Sequence, residues 1–189
     1  MKNNIRSIIA DSIAVKQQAL DANIDAIEKA ARVSIDCLKG GGTLFFFGNG
    51  GSAADSQHVA AEFIGRFQKE RRALAAIALT TDTSILTSLA NDYSYDIVFS
   101  RQLEALGHKG DVAFGISTSG RSKNVLKAFE AAKARGITTV AFTGGNGGPA
   151  AAAADISVVV ASSVTARIQE SHITIFHAIC EVVENAFLK

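Results

Sequence analysis

The stretch that most constrains the fold is Leu44-Phe45-Phe46-Phe47-Gly48-Asn49-Gly50-Gly51-Ser52, which runs straight into Ala53-Ala54-Asp55-Ser56-Gln57-His58-Val59-Ala60-Ala61-Glu62. A short unbroken apolar run marks a strand buried on both faces, and the glycines end it at once. Ser52 stands where it can cap the helix that follows. A glycine-rich turn between strand and helix offers bare backbone N–H groups at the positive end of a helix dipole, a ready site for phosphate. His58 and Glu62 lie four residues apart and so share one helix face. An anion cradle backed by two proton-handling side chains suggests chemistry on a phosphorylated substrate.

The same rhythm repeats along the chain. Apolar runs at Thr43 to Phe47, Ala75 to Leu79, Asp111 to Ile116, Ile137 to Phe142 and Ile156 to Val160 alternate with segments of helical period. Helices are expected from about Ser52 to Arg66, after a cap at Asp82 or Thr83, from Ile97 to Leu106, after Ser122 to about Ala134, and from about Ala166 to Phe187. Ahead of them, Ile5 to Leu38 reads as helix in two pieces, broken at Asp21-Ala22-Asn23. Such an alternation predicts an α/β fold: one flavodoxin-like three-layer sandwich on a five-stranded parallel sheet of order 2-1-3-4-5. The domain spans residues 1–189, with a helical segment over about 1–40 and the sandwich over about 41–189. In such sheets ligands bind beyond the carboxyl ends of the strands where the order reverses, which gathers the loops at 48–52, 117–122 and 144–148 on one edge.

Composition narrows the classes. With 19 basic and 18 acidic residues the net charge is +1, which gives no electrostatic case for nucleic acid. Arg66, Lys69, Arg71 and Arg72 form one basic cluster, read as a solvated helix end and loop. Asp11 interrupts the first apolar segment, which argues against a secretory signal, and no run reaches the ~18 apolar residues of a membrane span. Two cysteines without CxxC spacing are expected to be free thiols, and the protein is expected to be cytoplasmic. The last helix is apolar nearly all round, which predicts an oligomer whose final helix reaches a neighbour's active site.

Gly48 to Ala53 fits GxGxx[GA], but Asp82 falls about thirty residues on rather than about twenty, so the dinucleotide reading is weak. A Walker loop is excluded by the missing Gly-Lys-Ser/Thr. Ser117, Thr118, Ser119 and Ser122 place four hydroxyls at the start of a helix, more than capping needs and enough to hold phosphate oxygens together with backbone N–H groups. Gln169 and His177 are eight residues apart, about 80° around a helix, and can line one cleft. His172 projects about 140° from His177 and is expected to be structural, and His108, in a turn, merely solvated.

Taken together, Gly48-Asn49-Gly50-Gly51-Ser52, His58-x-x-x-Glu62, Asn91-Asp92, Ser117-Thr118-Ser119-Gly120 with Ser122, and Arg167-Ile168-Gln169-Glu170 with His177 resemble the sugar isomerase (SIS) domain family. The likeness runs along nearly the whole chain and is nearer to the branch that converts D-sedoheptulose 7-phosphate into D-glycero-D-manno-heptose 7-phosphate, which opens the route to lipopolysaccharide heptose. It implies an aldose–ketose isomerase; for chemistry through an enediol, Glu62 is the candidate base and His177 the candidate acid. It further implies a homotetramer with active sites between subunits and one zinc ion per subunit on His58, Glu62, Gln169 and His177. Asn49, Gly50, Gly51, Ser52, Glu62, Asn91, Asp92, Ser117, Thr118, Ser119, Ser122 and Gln169 would surround the sugar phosphate. Ala166 departs from the resemblance, since an acidic residue is expected there. A rival branch, similar at Ser52-Ala53-Ala54, Arg66-Phe67 and Leu106-Gly107-His108, is a non-catalytic binding module that associates with a replication initiator. That branch lacks the Glu and the late His present here as Glu62 and His177.

Overall fold

Period two in a triple phenylalanine dictates where the two cores lie. In the computed structural model, which describes residues 1–188, β1 (Leu44–Gly48) is buried along its whole length. Phe46 faces one side, where it stacks on Phe114 with centroids 4.9 Å apart, while Phe142 stacks on Phe176 at 4.0 Å. Phe45 and Phe47 face the other side, Phe47 packing against Phe99 and Phe129 at 5.4 and 5.9 Å. The remaining strands are β2 (Ala76–Ala78), β3 (Val112–Ser117), β4 (Thr138–Gly144) and β5 (Ile156–Val160). All pairings are parallel, in the order β2-β1-β3-β4-β5, the sandwich expected from the sequence. The order reverses between β1 and β3, and the ligand edge lies there.

α1 (Lys2–Lys39), α2 (Gly51–Ile64) and α7 (Thr165–Asn185) cover the Phe46 face. α4 (Ser100–Leu106), α5 (Lys123–Ala134) and α6 (Gly148–Ala153) cover the Phe47 face, with α3 (Thr83–Asp92) beside them. α3 is capped by Asp82, whose carboxylate accepts from the Ile85 N–H at 2.9 Å. Among the described residues no helix is long and apolar enough to cross a membrane, and both cysteines are free and buried.

Five expectations are corrected. α1 is one continuous helix rather than two. Asn23, read as a break, is buried: its carboxamide donates to the Ala19 and Val159 carbonyls at 2.7 and 2.9 Å and accepts from the Val159 N–H at 2.8 Å. It satisfies the open edge of β5, where a backbone pair would otherwise lack partners. Ser52 does not cap α2; Gly50 does, at φ +56°, a backbone state glycine adopts without cost. The segment from Ile97 to Leu106 divides into a 3-10 turn at Tyr95–Ile97 and α4, and the glycine loop after β4 carries the short helix α6, opened by Pro149. Arg71 leaves the basic cluster altogether, its side chain being 1% exposed.

His172 is structural, as its helical angle implied. It is fully buried, its Nε2 3.0 Å from the Thr143 carbonyl oxygen and its ring edge-on to Phe142. Its Nδ1 has no partner. Burial, working against the hydrogen bond to Thr143, pushes its pKa down from 6.5 to about 4. Between those two values the unfolded chain takes up a proton that the folded chain refuses, so stability falls as pH drops through the window, by about 3 kcal/mol in full. Urea unfolding at about pH 7 and about pH 4.5 checks this: His172→Gln, which keeps a donor for Thr143, flattens the fall. An unchanged slope would refute it.

Candidate active site

The loop after β1 turns tightly, the Ser52 N–H donating to the Asn49 carbonyl at 3.0 Å, and it drops Ser52 buried into the first turn of α2. Gln169 reaches this loop from α7. Its carboxamide lies so close to Gly51 that a Cβ there would stand 2.5 Å from Nε2. Two turns into α2 the chemistry-bearing side chains converge. His58 Nε2 lies 3.3 Å from Glu62 Oε1 and 3.0 Å from Nε2 of His177 on α7. The glutamate side chain is 23% exposed and the His58 side chain 50% exposed, so the group opens to solvent. The Phe67 ring closes it from one side, 5.4 Å from His177.

The loop after β3 carries the hydroxyls. Ser117 and Ser122 share a hydrogen bond at 2.9 Å, and the Ser119 hydroxyl accepts from the Arg121 N–H at 3.2 Å. Ser122 occupies the capping position of α5, yet its hydroxyl caps nothing, so ordinary capping does not explain the cluster. Thr118 is half-buried beside them. The loop after β4 props this one up: the Ala150 N–H donates to the Gly120 carbonyl at 2.9 Å, and a Cβ on Gly120, at φ +64°, would collide with the Gly147 carbonyl. The three loops foreseen at 48–52, 117–122 and 144–148 thus meet at the carboxyl edge.

Asn91 and Asp92 end α3 exposed and bond to one another at 2.8 Å. The residues just after them approach the glycine loop through Tyr95, whose hydroxyl lies 3.2 Å from Asn49 Oδ1. Among the described residues, no group of three or more His, Cys, Asp and Glu side chains is disposed to hold a metal ion.

Three neighbours of the site were not foreseen. Asp55, one turn before His58, has Oδ2 buried without a partner, and burial raises its carboxyl pKa against the pull of His58. Arg71 ties the end of α2 to α7, its guanidinium donating to the Glu62 carbonyl at 2.7 Å and its Nε 3.6 Å from Glu184. Asn124, in the first turn of α5, bonds to Asn49. The available signal for Asn124 was an amide directly behind four hydroxyls.

The SIS domain family profile matches residues 9–144. A phosphoheptose isomerase of Aquifex aeolicus is 51% identical over 97% of this chain and 96% of its own length. One of Sulfurimonas denitrificans is 50% identical over 97% of this chain and 95% of its own. The solved structure of phosphoheptose isomerase GmhA from Neisseria gonorrhoeae superposes with a TM-score of 0.92 at 45% identity, over 97% of this chain and 98% of that one.

Proposed function

The chain belongs to the SIS domain family, and we propose that it is a phosphoheptose isomerase, interconverting D-sedoheptulose 7-phosphate and D-glycero-D-manno-heptose 7-phosphate. The relatives and the gonococcal structure support this reading along almost the full length. The observation that carries it to chemistry is the convergence of Glu62 and His177, from two helices, on His58 beside the glycine loop. A non-catalytic binding module has no use for that pair.

In the proposed reaction the hydroxyl loop and the start of α5 hold the phosphate, and the glycine loop lies against the sugar. The Glu62 carboxylate removes a proton from C1 of the ketose while the carbonyl oxygen at C2 gains one from His177, giving a cis-enediol. The proton on O1 then leaves to His177 and the one on Glu62 is delivered to C2, leaving the aldehyde at C1. Both carbon transfers use one carboxylate on one face, so no further acid is needed.

Zinc is proposed on donor chemistry: His58, Glu62 and His177 present the imidazole nitrogens and carboxylate oxygen zinc takes, and Gln169 adds an uncommon carboxamide. The Nε2 atoms of His58 and His177 face one another at 3.0 Å. Taking an ion between them requires these side chains to rearrange from the geometry seen here, in which no three such groups form a metal cage among the described residues. Bound there, the ion would polarise the substrate carbonyl as a Lewis acid. A homotetramer with sites between subunits is supported by Ile5, Ile8, Ile9, Ile13 and Ile24, exposed along α1 beside an apolar groove of about 330 Å³ against α7. Burying such a stripe is what self-association is for.

The test is a proton NMR time course of the purified protein with sedoheptulose 7-phosphate, with and without chelator. An aldoheptose anomeric signal is expected to grow to equilibrium, and chelator sensitivity reports the zinc. A silent spectrum from folded, zinc-supplemented protein would reject the isomerase in favour of the binding module.

A further inference from the structure

We propose that Asn124 is a positioning residue, a two-way amide latch that holds the glycine loop after β1 in register with the hydroxyl loop after β3. Its Nδ2 donates to Asn49 Oδ1 at 2.9 Å, and Asn49 Nδ2 donates back to Asn124 Oδ1 at 3.0 Å, across 75 positions of sequence. The Tyr95 hydroxyl donates to the same Asn49 Oδ1 at 3.2 Å. Both lone pairs of that oxygen and one of the two Nδ2 protons are thereby engaged, which leaves the Asn49 side chain a single donor. The sequence casts Asn49 as a substrate contact; with its amide engaged as a bracket, the remaining N–H and the loop backbone are what it can still offer the sugar.

The location gives the latch its effect. It spans the point where the strand order reverses, between the two loops that close the ligand edge. Asn124 is 4% exposed, so its amide is shielded from competing water. It sits two residues beyond Ser122, at the helix start where phosphate is proposed to bind. Only an amide matches an amide at both ends, so a carboxylate at 124 sets one oxygen against Asn49 Oδ1 unless that oxygen carries a proton. The catalytic consequence rests on the isomerase reading, while the latch itself does not.

The experiment measures kcat and KM on sedoheptulose 7-phosphate for Asn124→Ala and Asn124→Asp across pH, with thermal unfolding of each. Asn124→Ala is expected to stay folded and to lose kcat/KM on the order of 100-fold, the cost of misaligned loops. Asn124→Asp is expected to lose as much at alkaline pH and to recover relative to the parent as pH falls, because protonation restores the missing donor. A loss below about threefold in folded Asn124→Ala, or an Asp variant whose deficit ignores pH, overturns the proposal. Should the parent turn over no heptose phosphate, the isomerase reading fails separately. The latch is then decided by carboxamide exchange in 15N-labelled full-length protein. Slow exchange at Asn49 that is lost in Asn124→Ala supports it, and fast exchange in the parent overturns it.

Discussion

Replacing Glu62 with Gln lowers kcat on sedoheptulose 7-phosphate by about 10²–10⁴-fold, the range a general base contributes, and leaves KM near its parental value. Gln keeps the size and the hydrogen-bonding reach of the side chain but has no basic oxygen, so C1 keeps its proton. The loss is therefore one of chemistry, seen in kcat, and calorimetric titration of the sugar phosphate still gives binding. A second readout is exchange of substrate carbon-bound hydrogen with heavy water, which the parent catalyses and the variant does not. Glu62 has a competing duty as a proposed ligand of zinc, and metal content of the variant separates the two. Full zinc with no exchange assigns the base; zinc lost, with activity restored by excess metal, assigns a ligand. Binding that disappears together with the fold would sink both roles. His177→Asn is expected to fall comparably, and the double variant little further, since residues that act as a unit are not additive.

What the sequence displayed was periodic or local. Three phenylalanines followed by a glycine turn could only be a doubly covered strand, and four repeats of that unit led to the observed strand order. His58 and Glu62 are one turn apart, so their pairing followed from helix geometry, as did the separation of His172 from His177. What stayed hidden was the destination of single polar side chains. Asn23 looked like a break because its partner, the edge of β5, lies 136 residues away. Asn49 and Asn124 face one another only because β1 and β3 are neighbours. Arg71 resembled its solvated neighbours because charge by itself does not reveal burial, and Arg66, five positions earlier, is indeed 62% exposed. Gly50 displaced Ser52 as the cap because a positive φ lets the chain turn two residues sooner.

Arg71→Met destabilises the protein by about 3–5 kcal/mol, the cost of leaving one member of a buried ion pair behind. The Glu184 side chain is 2% exposed and accepts from the Phe67, Gln68 and Lys69 N–H groups at 2.8–2.9 Å. Burial pushes its carboxyl pKa up, but those three donors and the Arg71 charge together hold it below the usual range. It therefore stays ionised and depends on its counter-charge. Arg71 in turn donates to the carbonyls of Glu62 and Phe63 in the last turn of α2, of Gly65 just beyond it, and of its own neighbour Arg72. Methionine fills the space and satisfies none of these. For a chain of this size the thermal midpoint falls on the order of 10 °C at fixed protomer concentration. Arg66→Met, which removes only an exposed pairing with Glu70, moves stability by no more than about 0.5 kcal/mol. The same substitution at Arg71 also touches catalysis, because the clamp joins the backbone of Glu62 to the helix of His177 and seats Phe67 against the His177 ring. Well below its lowered midpoint, folded Arg71→Met is thus expected to be slower than the parent, whereas folded Arg66→Met has no such route to the pair through Arg71. A midpoint shift no larger than that of Arg66→Met would mean that Arg71 is solvated and the clamp does not exist.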